Sequence, residues 1–500
     1  MLEQDIFEIL HLIRSWRNML APVNQIPPEI LALIPDFWDK HYEGRDQGVI
    51  ALTHVCRAWR GVFTSRSSLW TDLDCEDKDK ARVYLERSRS LPVNLSLHTE
   101  YRQPPYPPFS EIIPHVLGRL RSLTIDVKRK HLQDITAHLS HPAPLLEKLS
   151  IAGGGRHEAR YNPVLTPALF NGDLSSLRKL SLRTVHTELP WRNMTNLTSF
   201  MLRHTSPGEF TIKHLLDFFE SAPHLRKVHL HSATPTSSAQ NERLVSMACL
   251  EMMEITGVGS VSILLDHLLI PVGARLTIEV DPPSPPTNNH ALGFLGNLKN
   301  FPGFTTVDLC SPGDWRPHIQ FNGPNGQVKM IPRISRVDET RLVLEFLDQF
   351  DTSRVEQLRI GRGDFPSSDP PHRALLPMKH LRTITLRHCV DSHVFIHALH
   401  PDMSSSGVVI CPELEELVIV RDGRVLDTSS IIGIVAARAS KGAKLKSIRI
   451  TGGRPVGTDV LETLKRHVSY VGCQQNPEFG GANDGSDDIY EDEDNRGKGR

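Results

Sequence analysis

The residues best able to do chemistry lie in "RHCVDSHVFIHALH", residues 387–400, which gathers His388, Cys389, His393, His397 and His400. His393 and His397 stand one helical turn apart, a spacing zinc uses when two imidazoles project from one face. There is no second pair of cysteines, however, and Val394, Phe395, Ala398 and Leu399 make an ordinary apolar helix stripe. A solvated histidine face is therefore favoured. "AGGGR" (152–156) follows a strand pattern but lacks the Gly-Lys-Ser/Thr that sets a lysine and a hydroxyl on phosphates, so a turn explains it better. "GRGDF" (361–365) holds an adhesion-type triplet, which has no use in a chain expected to lack a secretion signal. No nucleophile with a base and an orienting partner stands out, nor any paired acid motif. The expectation is a protein that is not an enzyme and needs neither cofactor nor metal.

Composition points the same way. Lysine and arginine number 57 against 58 acidic residues, so no overall field argues for nucleic acid or an anionic membrane as partner. The 39% hydrophobic content supports a packed core along most of the 500 residues. Seven cysteines, at 56, 75, 249, 310, 389, 411 and 473, form no short pair, which fits a reducing compartment. The opening "MLEQDIFEILHLIRSW" places Glu3, Asp5 and Glu8 where a signal peptide carries basic residues. No run approaches the roughly 18 apolar residues of a membrane span. The expected location is cytoplasmic or nuclear, which leaves the glycosylation triplets at Asn94, Asn193 and Asn196 to chance.

The elements are set by one phrase, apolar-x-x-apolar-x-apolar. It recurs as "LRSLTI" (120–125), "LEKLSI" (146–151), "LRKLSL" (177–182), "LTSFML" (197–202), "LRKVHL" (225–230), "LEMMEI" (250–255), "FTTVDL" (304–309), "VEQLRI" (355–360), "LRTITL" (381–386), "LEELVI" (414–419) and "LKSIRI" (445–450). The early spacing surrounds the roughly 20–29 residues of leucine-rich repeats. "VNLSL" (93–97) reads as an opening strand, "RLTIEV" (275–280) fills one long gap well, and "HIQFNG" or "QVKMI" fills the next poorly. Each phrase ends in the alternation of a half-buried strand, and helical spacing often precedes it. In "IKHLLDFFESAPHL", Ile212, Leu215, Leu216 and Phe219 share a face and Pro223 stops the helix. Such units bury their apolar faces only by stacking, which predicts a curved solenoid, parallel strands inside and helices outside. "VLETLKRHVSYV" (460–471) reads as a capping helix, and the acidic, glycine-rich residues 476–500 read as a disordered tail.

Ahead of the array, residues 22–75 follow a different logic. Pro27 and Pro28 preset a helix start, Glu29 suits its positive end, and Ile30, Leu31, Ile34 and Phe37 supply a stripe. A second helix is expected from about Gly48, with Ile50 or Leu52, Val55, Cys56 and Trp59 on one face and Arg57 and Arg60 on the other. "SRSSLW" then breaks the helix and closes with Leu69 and Trp70. Residues 76–92 should form a short helix running straight into "VNLSL". That places Leu69, Trp70 and Leu73 at a rigid joint.

This order resembles the F-box: Ile26-Pro27-Pro28-Glu29-Ile30 stands for its proline-led opening, Val55 to Arg60 ("VCRAWR") for its second landmark, and Leu69-Trp70 for its close. With the repeats behind it, the chain is similar to the expanded F-box families of mushroom-forming fungi. It departs from them at Ile26, where leucine is usual, and in the charged "WDKHYEGRDQG" (38–48). The resemblance implies an α/β chain with a small helical F-box head followed by an irregular leucine-rich-repeat horseshoe. Its parts would be an N-terminal amphipathic helix (1–21), an F-box (22–75), a repeat solenoid (76–475) and the tail (476–500). It further implies a head that binds a Skp-type adaptor, and through it a cullin, while the repeats hold an unknown protein substrate for ubiquitin ligation. The residues implied in adaptor binding are Ile26, Pro27, Pro28, Ile30, Leu31, Ile34, Leu52, Val55, Cys56, Trp59 and Trp70. The alternative is a scaffold whose head only caps the solenoid.

Overall fold

The computed structural model describes residues 2–37, 45–98, 107–154, 164–165, 169–187, 194–205, 211–233, 243–256, 261–271, 273–280, 304–309, 319–323, 326–332, 352–361, 375–387, 392–403, 409–420, 427–452 and 456–474. The chain is mixed α/β with a large, mainly parallel sheet framework, and the described residues form no closed barrel. It divides into two compact units, Met1–Ala274 and Arg275–Arg500.

In the first unit the long strands are β1 (Asp72–Asp74), β2 (Val93–His98), β3 (Leu120–Lys128) and β4 (Lys148–Gly154). After the two-residue β5 (Val164–Leu165) and with β7 (His186–Thr187) intervening come β6 (Lys179–Arg183), β8 (Ser199–Thr205) and β9 (Lys227–Ala233). β10 (Val245–Ser246), β11 (Met252–Thr256) and β12 (Leu268–Leu269) complete the unit. The order β1–β2–β3–β4–β6–β8–β9–β11 is parallel throughout. The middle apolar residue of each phrase falls in one register row, Leu73, Leu95, Leu123, Leu149, Leu180, Phe200, Val228 and Met253, and every member is buried. The last residue of the phrase forms a second buried row, Ile125, Ile151, Leu182, Leu202, Leu230 and Ile255. Because strand side chains alternate between faces, the residues between these rows share the opposite face. Helix Ile212–Ser221 buries Ile212, Leu215, Leu216 and Phe219 as its spacing predicts, and Phe218 besides.

The second unit repeats the pattern with one change. Its strands are β13 (Arg275–Val280), β14 (Thr306–Leu309), β15 (Ile319–Gly323), β16 (Gly326–Pro332), β17 (Gln357–Ile360), β18 (Thr383–Arg387), β19 (Glu416–Val420), β20 (Ser447–Thr451) and β21 (Tyr470–Gln474). Val307, Leu358, Ile384, Leu417, Ile448 and Val471 form the corresponding row. The filler expected between β14 and β17 is not there, because those two strands pair directly. "HIQFNG" and "QVKMI" are instead the two arms of an antiparallel hairpin, joined across Gly323 and Gly326, which pairs with β14 on one side and β13 on the other. The capping helix also ends earlier than its periodicity suggests, at His467, and the chain then adds β21 beside β20. The tail expected at 476–500 lies outside the described residues.

Candidate functional site

The head is built from short pieces. The stripe expected to run as one helix from Pro28 to Phe37 is an α-turn, Pro28–Leu31, followed by a 3-10 turn, Ile34–Phe37. Pro35 accounts for the break, since it has no N–H to give and disfavours the α conformation in the residue before it. The second stripe is also cut. Helix Arg45–Val55 and helix Arg57–Ser65 meet at Cys56, which is extended at φ −158° and ψ 175°. The kink removes a donor from the Thr53 carbonyl, and the Arg60 side chain supplies one, its Nε donating to that oxygen at 3.0 Å. Cys56 therefore separates Val55 from Trp59 instead of aligning them.

Asn24, which the motif reading passed over, ties these pieces together. Its Oδ1 accepts from Trp59 Nε1 at 2.6 Å, with Cys56 Sγ at 3.9 Å, and its Nδ2 donates to the Asn18 carbonyl at 2.5 Å. Arg66 closes the other side by pairing with Asp36 at 2.7 Å and donating to the Ala32 carbonyl. The only sequence signal for Asn24 is a polar residue held between Pro22 and the Pro27–Pro28 pair.

The structure divides the expected adaptor residues into two groups. Leu31, Trp59 and Trp70 are interior, only 4%, 8% and 1% exposed, as is Phe63, whose ring centre lies 5.8 Å from that of Trp59. They hold the head together and present no surface. Pro27, Pro28, Ile30 and Val55 are exposed, while Ile26, Ile34, Leu52 and Cys56 are half-buried. Ile30 is 56% exposed although its neighbour Leu31 is not, and Val23, Leu33, Val55 and Phe37 stand out with it. They are the large apolar side chains that the described residues of the head leave in water, and exposed apolar surface is where a partner docks.

The head joins the sheet through Trp70. Leu69 and Leu73 are buried beside it, and β1 pairs with β2 in register Leu73 to Leu95. The Trp70 ring lies edge-on to Tyr84 at 4.9 Å, carries the Arg87 guanidinium at 4.3 Å and donates from Nε1 to the Phe63 carbonyl at 2.9 Å. Tyr84 and Arg87 come from helix Lys78–Arg87, capped by the Asp77 carboxylate, which accepts from the N–H groups of Asp79 and Lys80. Joint and first strands are therefore one packed body.

The second candidate surface is the polar face of the same sheet. Along one row lie Asp126, Ala152, Arg183, Arg203, His231 and Thr256. The small Ala152 lets Arg183 reach over it to Asp126 at 2.7 Å. The next row brings His229 Nδ1 within 3.0 Å of Glu254 Oε2. Elsewhere, His388, Cys389 and the side chain of His393 lie outside the described residues, while His397 and His400 sit with ring centres 6.5 Å apart. Among the described residues no group of three His, Cys, Asp or Glu is placed to hold a metal, and no helix is long and apolar enough to cross a membrane. No family model matches the chain, and no curated protein matches it.

Proposed function

We propose that this chain is a non-enzymatic substrate-recognition subunit of a Skp-cullin-F-box type ubiquitin ligase. The head engages a Skp-type adaptor, and the strand-and-helix array behind it, a leucine-rich-repeat horseshoe, offers its polar face to a protein substrate. The observation that carries this reading is the head's division into an inside and an outside: Leu31, Trp59 and Phe63 are buried within it, yet Ile30, Leu33, Phe37 and Val55 remain in water. Three separated landmarks at 26–30, 55–60 and 69–70 in F-box order add to it.

The test is co-purification of the full chain with a Skp-type adaptor homologue. Ile30→Asp combined with Val55→Asp puts charges on exposed positions and is expected to abolish binding with the thermal transition unchanged. Wild-type recovery of the adaptor by that variant would show the face is wrong. Failure of the unmodified chain to bind any adaptor would leave the scaffold reading, which the pairing of β1 with β2 favours because it ends the sheet on a strand of only three residues.

A further inference from the structure

Helix Leu2–Leu20 leaves every described side chain exposed except Ser15, which is half-buried. Its neighbour is the 3-10 turn Pro22–Gln25, to which Asn24 ties the Asn18 carbonyl. Ile6, Phe7, Ile9, Leu10, Leu12, Ile13, Trp16, Met19 and Leu20 are all exposed, Trp16 by 61% and Leu20 by 76%. A lone helix about 28 Å long gains little by holding these groups in water.

The order of the residues says what covers them. Ile6, Ile9, Ile13, Trp16 and Leu20 recur at alternating three- and four-residue steps, the seam of a coiled coil. The helix is also close to symmetric under reversal about position 11. Reversal places Ile9 level with Ile13, Ile6 with Trp16, Leu10 with Leu12 and Gln4 with Asn18. It also places acid level with base, Asp5 with Arg17 and Glu8 with Arg14, and Phe7 with Ser15 is the one mismatch from 4 to 18. A parallel partner of the same sequence would set acid beside acid and base beside base. An antiparallel one aligns the apolar layers and lays the acidic first half of each helix along the basic second half of the other.

We infer that this helix is a self-association element, and that its occupant is the same helix of a second copy of the chain, running antiparallel. A lipid surface fits less well, because membrane-surface helices carry a basic polar face and this one sets Glu3, Asp5 and Glu8 against Arg14 and Arg17.

Sedimentation equilibrium of the full chain tests it. The unmodified protein is expected to dimerise reversibly, and Ile9→Asp with Ile13→Asp to leave it monomeric with unchanged circular dichroism outside the helix contribution. Two charge variants that touch no apolar residue then read the orientation rule. Asp5→Lys with Glu8→Lys leaves Glu3 as the one acidic residue of the helix, and Arg14→Glu with Arg17→Glu leaves it without lysine or arginine. Each alone should dimerise about tenfold or more weakly, and an equimolar mixture should recover association. A monomeric wild-type chain, or charge variants that dimerise like wild type, overturns the inference. So does a wild-type chain that stays monomeric in buffer and co-sediments with phosphatidylcholine–phosphatidylserine vesicles, which would assign the helix to lipid.

Discussion

Replacing Trp70 tests whether the head is fixed to the sheet. The indole is 1% exposed, touches Tyr84 and Arg87 from one helix, and satisfies the Phe63 carbonyl from another. Trp70→Ala removes all three contacts and leaves a cavity, a change that costs about 3–5 kcal/mol in a well-packed core. Within that sum the orphaned carbonyl accounts for about 1–3 kcal/mol and the edge-on ring pair for about 0.5–1.5 kcal/mol. Trp70→Phe keeps the ring stack and loses chiefly the hydrogen bond, so its cost is about 1–2 kcal/mol. At roughly 2–4 °C per kcal/mol for a body of this size, the alanine variant should melt about 10 °C lower and the phenylalanine variant about 4 °C lower. Scanning calorimetry gives the melting points. Limited proteolysis gives the mechanics: the unmodified chain should resist cutting between residues 71 and 92, and Trp70→Ala should open that segment. An alanine variant melting within about 2 °C of wild type, or preferential cleavage there in the unmodified chain, would show that the head hangs on a hinge.

Arg438 carries an analogous load in the second unit. It is fully buried, donates to the carbonyls of Ile410 and Cys411 at 2.7 Å each, and burial pushes its pKa below the usual arginine value. Arg438→Met keeps the length but strands both oxygens, so a loss of about 2–4 kcal/mol is expected in chemical denaturation, and a loss under about 0.5 kcal/mol would refute the role. The thiols of Cys75 and Cys411 are pushed up to about 12, mainly by burial. At pH 8 only about one in ten thousand is thiolate, so peptide mapping after brief alkylation should find both unmodified while the exposed Cys249 and Cys473 react. Rapid labelling of Cys75 or Cys411 in the folded chain would contradict that packing.

The strands were legible because their signal is local. Alternation over five or six residues decides which side chains face inward, and the middle residues of the phrases, Leu123, Leu149, Leu180, Phe200, Val228 and Met253, align in one register row. The same holds for helix Ile212–Ser221, whose apolar face is written at three- and four-residue spacing. The hairpin of β15 and β16 was not legible as such. Each arm reads as a strand, but nothing within an arm says that it turns back on its neighbour while β14 pairs directly with β17.

In the head the sequence by itself determined which residues are apolar and where the proline and tryptophan landmarks stand. Only the tertiary structure decided that Leu31 goes inside and Ile30 outside, that Cys56 breaks a helix, and that Asn24 joins Asn18 to Trp59. Leu31 and Ile30 are adjacent and nearly equal in hydrophobicity, so local pattern does not separate them. What separates them is a single turn of helix stopped ahead of Pro35 and clamped by the Arg66 side chain more than thirty residues away. Propensity and periodicity act over one or two turns, whereas a side chain's inside or outside is settled by partners the chain brings back from a distance.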